Sequence, residues 1–167
     1  MRIAGIDNGL DGGLVVLDGT EVAGLYPMPT VGLTASKRAY DAVAIVACLR
    51  GWKLDHVVLE RAQAMMRGGR QQGTVSSFSI GYGAGLIAGI VGALGLPHTV
   101  VMPQAWGRVM FAGLPREKGD TKRLSAIMSA RLWPGVDWKR TPKCKGPHSG
   151  LTDAAMLAEY GRRTLAR

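Results

Sequence analysis

Residues Arg2-Ile3-Ala4-Gly5-Ile6-Asp7 read as a short buried strand that starts almost at the first residue and ends on a carboxylate. Gly9, Gly12 and Gly13 follow, then the apolar run Leu14-Val15-Val16-Leu17 and the turn Asp18-Gly19. Two apolar runs joined by a glycine-rich turn form a hairpin, so a sheet begins here with an acid on its first strand. A charged side chain within an apolar strand is costly unless something compensates it. Asp7 is therefore either a turn cap, a common place for Asp, or a metal ligand. The first strand alone leaves both readings open.

The chain then repeats the arrangement. Asp55-His56-Val57-Val58-Leu59-Glu60 is apolar, partly β-branched, of parallel-sheet type, and again ends in a carboxylate. Between the two acids, Val22 to Tyr26 reads as a third strand of a meander. A helical pattern then opens at Lys37-Arg38, with Val43, Ile45, Val46 and Leu49 as its apolar face and Gly51 as its stop. His98 to Met102 reads as the next strand, stopped by Pro103, and a short helix begins at Gln104. Asp120 to Leu132 and the segment carrying Ala154, Ala155, Leu157, Ala158 and Tyr160 read as helices.

Thr74 to Leu94 reads as a long helix with Gly81, Gly85 and Gly89 on one face. Each glycine costs about 1 kcal/mol relative to alanine in a helix. The expectation is a buried helix packed closely on the sheet, and a place where a second copy could dock. The run is apolar, yet short, glycine-rich and followed at once by a strand pattern, so no membrane span is expected.

The 167 residues, 47% hydrophobic and 20% charged, suit one globular domain over 1–167. The formal charge of +9, from 21 Lys+Arg against 12 Asp+Glu, favours an anionic partner, of which nucleic acid is the commonest. Cys48 and Cys144 stand in unrelated contexts and Asp7 interrupts any signal-peptide apolar core, so a cytoplasmic protein without disulfides is expected. Residues 61–73 form a polar crossing in which Arg67 and Arg70 sit among Gly and Gln, suited to backbone phosphates. Lys37 and Arg38 are either solvated helix-start charges or further phosphate contacts. A basic, proline-bracketed loop delivers His148 and then Asp153, and its Lys143 and Lys145 are read as DNA contacts near the site that could neutralise developing charge.

Asp7, Glu60 and Asp153 are the acids that a shared sheet and a helix packed over it would gather. Such a cluster is unfavourable by itself and needs cations. Mg²⁺ is the natural one, being hard, oxygen-liganded and able to share substrate phosphates, with Mn²⁺ as substitute. Two ions about 4 Å apart clamp the attacking and leaving oxygens of a phosphoryl displacement. Charge balance and acids together point to metal-dependent phosphodiester cleavage in nucleic acid.

Gly5-Ile6-Asp7-Asn8-Gly9-Leu10-Asp11-Gly12-Gly13, Val57-Val58-Leu59-Glu60, Pro103-Gln104-Ala105-Trp106 and His148-Ser149-Gly150-Leu151-Thr152-Asp153-Ala154-Ala155 resemble, in this order, the RuvC-like Holliday-junction resolvases of phages and prophages. The resemblance implies an α/β, RNase H-like fold: a five-stranded mixed sheet, three antiparallel strands then parallel ones, flanked by helices. It implies a homodimeric endonuclease that nicks a four-way junction, or related branched DNA, and leaves 5′-phosphates. No nucleotide cofactor belongs to it. Asp7, Glu60 and Asp153 match the family's metal-binding acids, and two Mg²⁺ or Mn²⁺ ions per site are implied. The family's fourth acid or histidine, three residues before the last Asp, is here Gly150. His148 is the candidate for that role, as ligand or as handler of the leaving group's proton; the bland alternative is a loop histidine bonded to backbone. Asp11 is read as a turn residue, with the missing acid as its alternative. Phe78 and Tyr82 at helical spacing read as core, with a wedge at a branch point as the alternative. An RNase H-type or flap nuclease, a catalytically silent binder of branched DNA, and a fragment of an actin-like sugar kinase are the competing readings.

Overall fold

The strand that begins at Arg2 lies at the centre of a five-stranded sheet. The computed structural model describes residues 1–32, 34, 38–62, 66–67, 70–71, 73–115, 117 and 119–165, with backbone alone at 66–67, 70–71 and 75. Along them come β1 (Arg2–Asp7), β2 (Gly13–Asp18), β3 (Glu21–Pro27), β4 (Thr30–Val31), β5 (Ala39–Tyr40), α1 (Ala42–Arg50), β6 (His56–Glu60), β7 (Met66–Arg67), β8 (Arg70–Gln71), α2 (Thr74–Ala93), β9 (His98–Val101), α3 (Pro103–Met110), α4 (Thr121–Leu132) and α5 (Ser149–Leu165). The sheet order is β3-β2-β1-β6-β9. β1 pairs antiparallel with β2 and parallel with β6; β2–β3 is antiparallel and β6–β9 parallel. This is the expected RNase H-like arrangement, with the parallel crossovers carried by helices.

Alternation along β1 and β6 divides the core between the two faces of the sheet. Ala4, Ile6, Val57 and Leu59 pack with Ile45 and Leu49 of α1 and Ile87 and Val91 of α2. Ile3 and Val58 face the other way, toward α3, α4 and α5. By the same period of two, Asp7 and Glu60 lie on the α5 face. The β1–β6 register pairs Gly5 with Val58 and Ile6 with Leu59, so its next step sets Asp7 beside Glu60.

The closest approach in the fold is that of α5 to β1. A Cβ on Gly5 would overlap the Ala154 carbonyl oxygen and the Ala158 amide nitrogen, both backbone atoms. Further along α5, a Cβ on Gly161 would stand 2.6 Å from Val58 Cγ2. The helix thus lies directly on the two central strands, with Ala154, Ala155 and Ala158 fully buried. That depth brings Asp153, one turn into α5, to the sheet end where β1 and β6 stop.

Three expectations need correction. The helix read from Lys37-Arg38 starts instead at Ala42, where the Asp41 carboxylate accepts from the Ala44 amide at 2.9 Å. Residues 39–40 go to the small hairpin β4–β5, and Val43 is 81% exposed while Ile45 and Leu49 are buried. Within the polar crossing, β7 and β8 pair antiparallel. α2 is not a buried helix: Ile87 and Val91 are buried, and Gly83 lies so close to Tyr40 and Asn8 that a Cβ would overlap the Tyr40 hydroxyl. No described atom lies within 4 Å of where a Cβ on Gly81, Gly85 or Gly89 would stand, so those glycines face away from the sheet. Phe78 is 73% and Tyr82 55% exposed, so neither belongs to the core. Among the described residues Ser76–Ala93 is the one helical segment long and apolar enough to cross a membrane by length and composition.

Gly5→Ala places a methyl against helix backbone that has no room to yield. It is expected to destabilise the protein by about 2–3 kcal/mol, read as a lower urea midpoint at unchanged slope.

Candidate functional site

Three acids meet at the end of the sheet where β1 and β6 stop. Asp7 closes β1, and one of its oxygens accepts from the Gly9 amide at 3.1 Å. Burial raises its pKa despite that bond and the charge of Lys122, and Asp11 adds to the rise. Glu60 closes β6. Its carboxylate accepts from Trp106 Nε1 at 2.9 Å, and its backbone carbonyl accepts from Asn8 Nδ2 at 2.6 Å, which ties the two strand ends together. Burial first, then the charges of Asp7 and Asp153, push the Glu60 carboxyl up to about 7, with the Trp106 bond opposing. Asp153 rises to about 6, through burial and then the charge of Asp7. Ser125 of α4 and Lys122 oppose that rise, although Ser125 Oγ and Asp153 Oδ1 are buried without completed hydrogen bonds among the described residues.

Glu60 feels the charges of both Asp7 and Asp153, and Asp153 that of Asp7, while Asp7 is raised by burial and by Asp11. A buried Asp153 oxygen without a partner among the described residues, and three carboxyls raised chiefly by burial, fit the donor chemistry of a hard divalent cation. As arranged, the described residues do not bring three His, Cys, Asp or Glu donors around one point. Ion binding would therefore draw the acids together or complete its shell with water and substrate oxygen.

His148 stands apart from this set. The charges acting on it are Arg140, Asp11 and Lys122, and burial is the main cause of its lowered pKa. Its carbonyl accepts from the Leu151 and Thr152 amides and so caps α5, while Nδ1 is buried without a partner among the described residues. Gly150 is dictated by packing: a Cβ there would overlap the Asp11 carbonyl oxygen and Gly12. The turn between β1 and β2 occupies the space that a side chain at the expected fourth-ligand position would need. Asp11 itself reaches outward, its Oδ1 accepting from Arg38 Nη2 at 2.8 Å and Arg140 Nη1 at 3.3 Å.

A solved structure of T. thermophilus RuvC in complex with Holliday junction substrate matches the fold with a TM-score of 0.64, 17% identity, and coverage of 98% of this chain and 96% of that one. A second Thermus thermophilus RuvC structure matches with the same TM-score and coverage at 15% identity. The chain has the RuvC fold. In sequence alone, no protein-family model and no curated protein matches it.

Around this RuvC fold the expected DNA contacts distribute unevenly. Arg38 stands at the rim, paired with Asp11. Lys143 and Lys145 are exposed on the loop before α5. Lys37 lies outside the described residues; Arg67 and Arg70 belong to β7 and β8, their side chains also outside. The cations acting on the acids and His148 are instead Lys122 and Arg140. Neither was singled out from the sequence, where each is one basic residue among many. Trp106 gave a signal only as part of the Pro103–Trp106 motif, which said nothing of its bond to Glu60.

The raised acids make stability depend on pH in a stated direction. Glu60 ionises near its ordinary 4.5 in the unfolded chain and near 7 in the folded one, so the folded state is favoured below 4.5 and that advantage is lost as pH rises through 7. In EDTA the thermal midpoint should fall across this window, a loss of about 1–3 kcal/mol from Glu60, and Glu60→Gln should remove that share and leave the share of Asp153, whose carboxyl is raised to about 6. Trp106→Phe removes the opposing donor and should move the Glu60 midpoint, read by carboxyl NMR titration, above 7.

Proposed function

We propose that this protein is a metal-dependent endonuclease acting on branched DNA, with the four-way junction as its preferred substrate. The observation that carries the reading is the meeting of Asp7, Glu60 and Asp153, from β1, β6 and α5, each raised by burial, with the charge of Asp7 acting on both of the others. Asp7, Glu60 and Asp153 would hold Mg²⁺ or Mn²⁺, two ions per site. Bound there, the ions would activate water and stabilise the departing 3′ oxygen, leaving a 5′-phosphate. Trp106 holds the Glu60 carboxylate in one orientation. Lys122 brings positive charge toward the phosphate, and His148, kept neutral by burial, holds or moves a proton at Nδ1. The excess of +9 attracts the polyanion.

Three rings extend outward from this site. The Tyr40 hydroxyl donates to the Asn8 carbonyl at 2.7 Å, Tyr40 and Tyr82 lie 6.1 Å apart, and Phe78 stacks on Tyr82 at 6.3 Å. Phe78 and Tyr82 are exposed and Tyr40 half-buried, a row of rings suited to bases unstacked at a branch point, which a continuous duplex does not offer.

Cleavage of a synthetic four-way junction, beside a linear duplex, a flap and an RNA–DNA hybrid, in Mg²⁺, Mn²⁺ and EDTA, tests the reading. Paired nicks on opposite junction strands, lost in EDTA and lowered at least about a hundredfold by Asp7→Asn, are expected. Preferential cutting of the hybrid or the flap would move the chain to the other nuclease readings. Junction binding without nicks in either metal would make it a silent binder, an outcome in keeping with the space denied to a fourth ligand at Gly150.

Symmetric cutting requires two sites, and we propose a homodimer formed across the open glycine face of α2. Backbone-to-backbone approach along Gly81, Gly85 and Gly89 would compensate the glycines' helix cost. Sedimentation equilibrium is expected to give a dimer for the native chain and a monomer for Gly85→Arg.

A further inference from the structure

Asp11, in the turn between β1 and β2, is strongly exposed, its side chain at 73%. Two arginines nevertheless converge on its single oxygen Oδ1, one 27 and the other 129 residues away in the chain. Arg38 is mostly buried at 17% exposure, and Arg140 reaches in from the loop before α5. As a staple of three loops the arrangement is poor, because ion pairs to an exposed carboxylate add little to stability. As a receptor for an anion it is well made: two guanidiniums aimed at one oxygen match the geometry of a phosphate. Its position ties it to the acids, since Asp11 acts electrostatically on Asp7 and on His148, and Arg140 acts on His148.

We infer that Asp11, Arg38 and Arg140 form a phosphate bracket at the rim of the acid cluster, with Asp11 holding the two guanidiniums together until a DNA backbone phosphate displaces it. The inference rests on the DNA-cleaving reading and adds a determinant of substrate choice to it. Arginines already fixed by Asp11 lose less side-chain freedom when a phosphate takes its place. Asp11 is also a tethered competitor, present at high effective concentration. A phosphate overcomes it only when other contacts hold the strand in place. A branched substrate gripped on several arms meets that condition, and a loosely held linear duplex does not. Asp11 is thus a positioning residue that penalises duplex more than junction.

Fluorescence anisotropy with a labelled four-way junction and a linear duplex of the same sequence, in EDTA and across a salt series, tests this without cleavage. Asp11→Asn keeps the shape and removes the charge. It should tighten duplex binding roughly five- to tenfold and junction binding by less. Arg38→Ala and Arg140→Ala should each weaken binding and lower the salt slope by about 1. The gain from Asp11→Asn should vanish when both arginines are replaced. If Asp11→Asn leaves both affinities unchanged, or weakens both, the bracket is wrong while the DNA reading stands. Unchanged salt slopes in both arginine variants overturn it independently of how well Asp11→Asn folds. Native protein that binds neither DNA overturns the bracket and the DNA reading together.

Discussion

A missing side chain decides how close α5 comes to the sheet. At Gly5 the helix backbone rests on strand backbone, with the Ala154 carbonyl and the Ala158 amide where a Cβ would be. Helices usually stand off a sheet by the depth of a side-chain layer. Here the layer is absent at one point and thin around it, through Ala155, Ala158 and Gly161. Only at that separation does a short aspartate on the helix feel the charge of a short aspartate on the strand. The chemistry proposed for the site depends on this contact more than on any hydrogen bond within it.

The acids are positioned at an electrostatic cost. Burial raises all three, the charge of Asp7 adds to the rise of Glu60 and Asp153, and the structure compensates sparingly, with one indole N–H, one backbone amide, the Ser125 hydroxyl and the charge of Lys122. Fuller compensation by arginine pairs would fill the carboxylates' acceptor sites and leave none for a cation. The one buried carboxylate that is fully paired, Glu159 with Arg162 and Arg163, lies two turns further along the same helix. The contrast between Asp153 and Glu159 on α5 is that between an acid held ready for a ligand and an acid that serves the fold.

Much of this was legible in the residues, for identifiable reasons. β1 and β6 announced themselves because each is a short apolar run with a carboxylate at its end, a pattern that sheet geometry converts directly into neighbours. α2 misled because composition reports how apolar a helix is and not which face is covered; Phe78 and Tyr82 at helical spacing looked like core and are exposed. The start of α1 was misplaced because Lys37-Arg38 looked like helix, while the Asp41 carboxylate was what set the boundary. Lys122 and Arg140 stayed hidden because a basic residue gains meaning only from what folds next to it.

Gly150 presses on the Asp11 carbonyl and on Gly12, and Gly12 presses on the carbonyls of Asp7 and Gly9, so neither glycine has space for a side chain. The two positions therefore cannot change one at a time. An acid introduced at 150 would displace the turn that carries Gly9, Asp11 and Gly12, and with it the Asp7 hydrogen bond and the anchor of both arginines. A turn remodelled first would leave a void against the start of α5. The number of ligands at the centre is thus set by the backbone of a turn and not by the identity of one side chain.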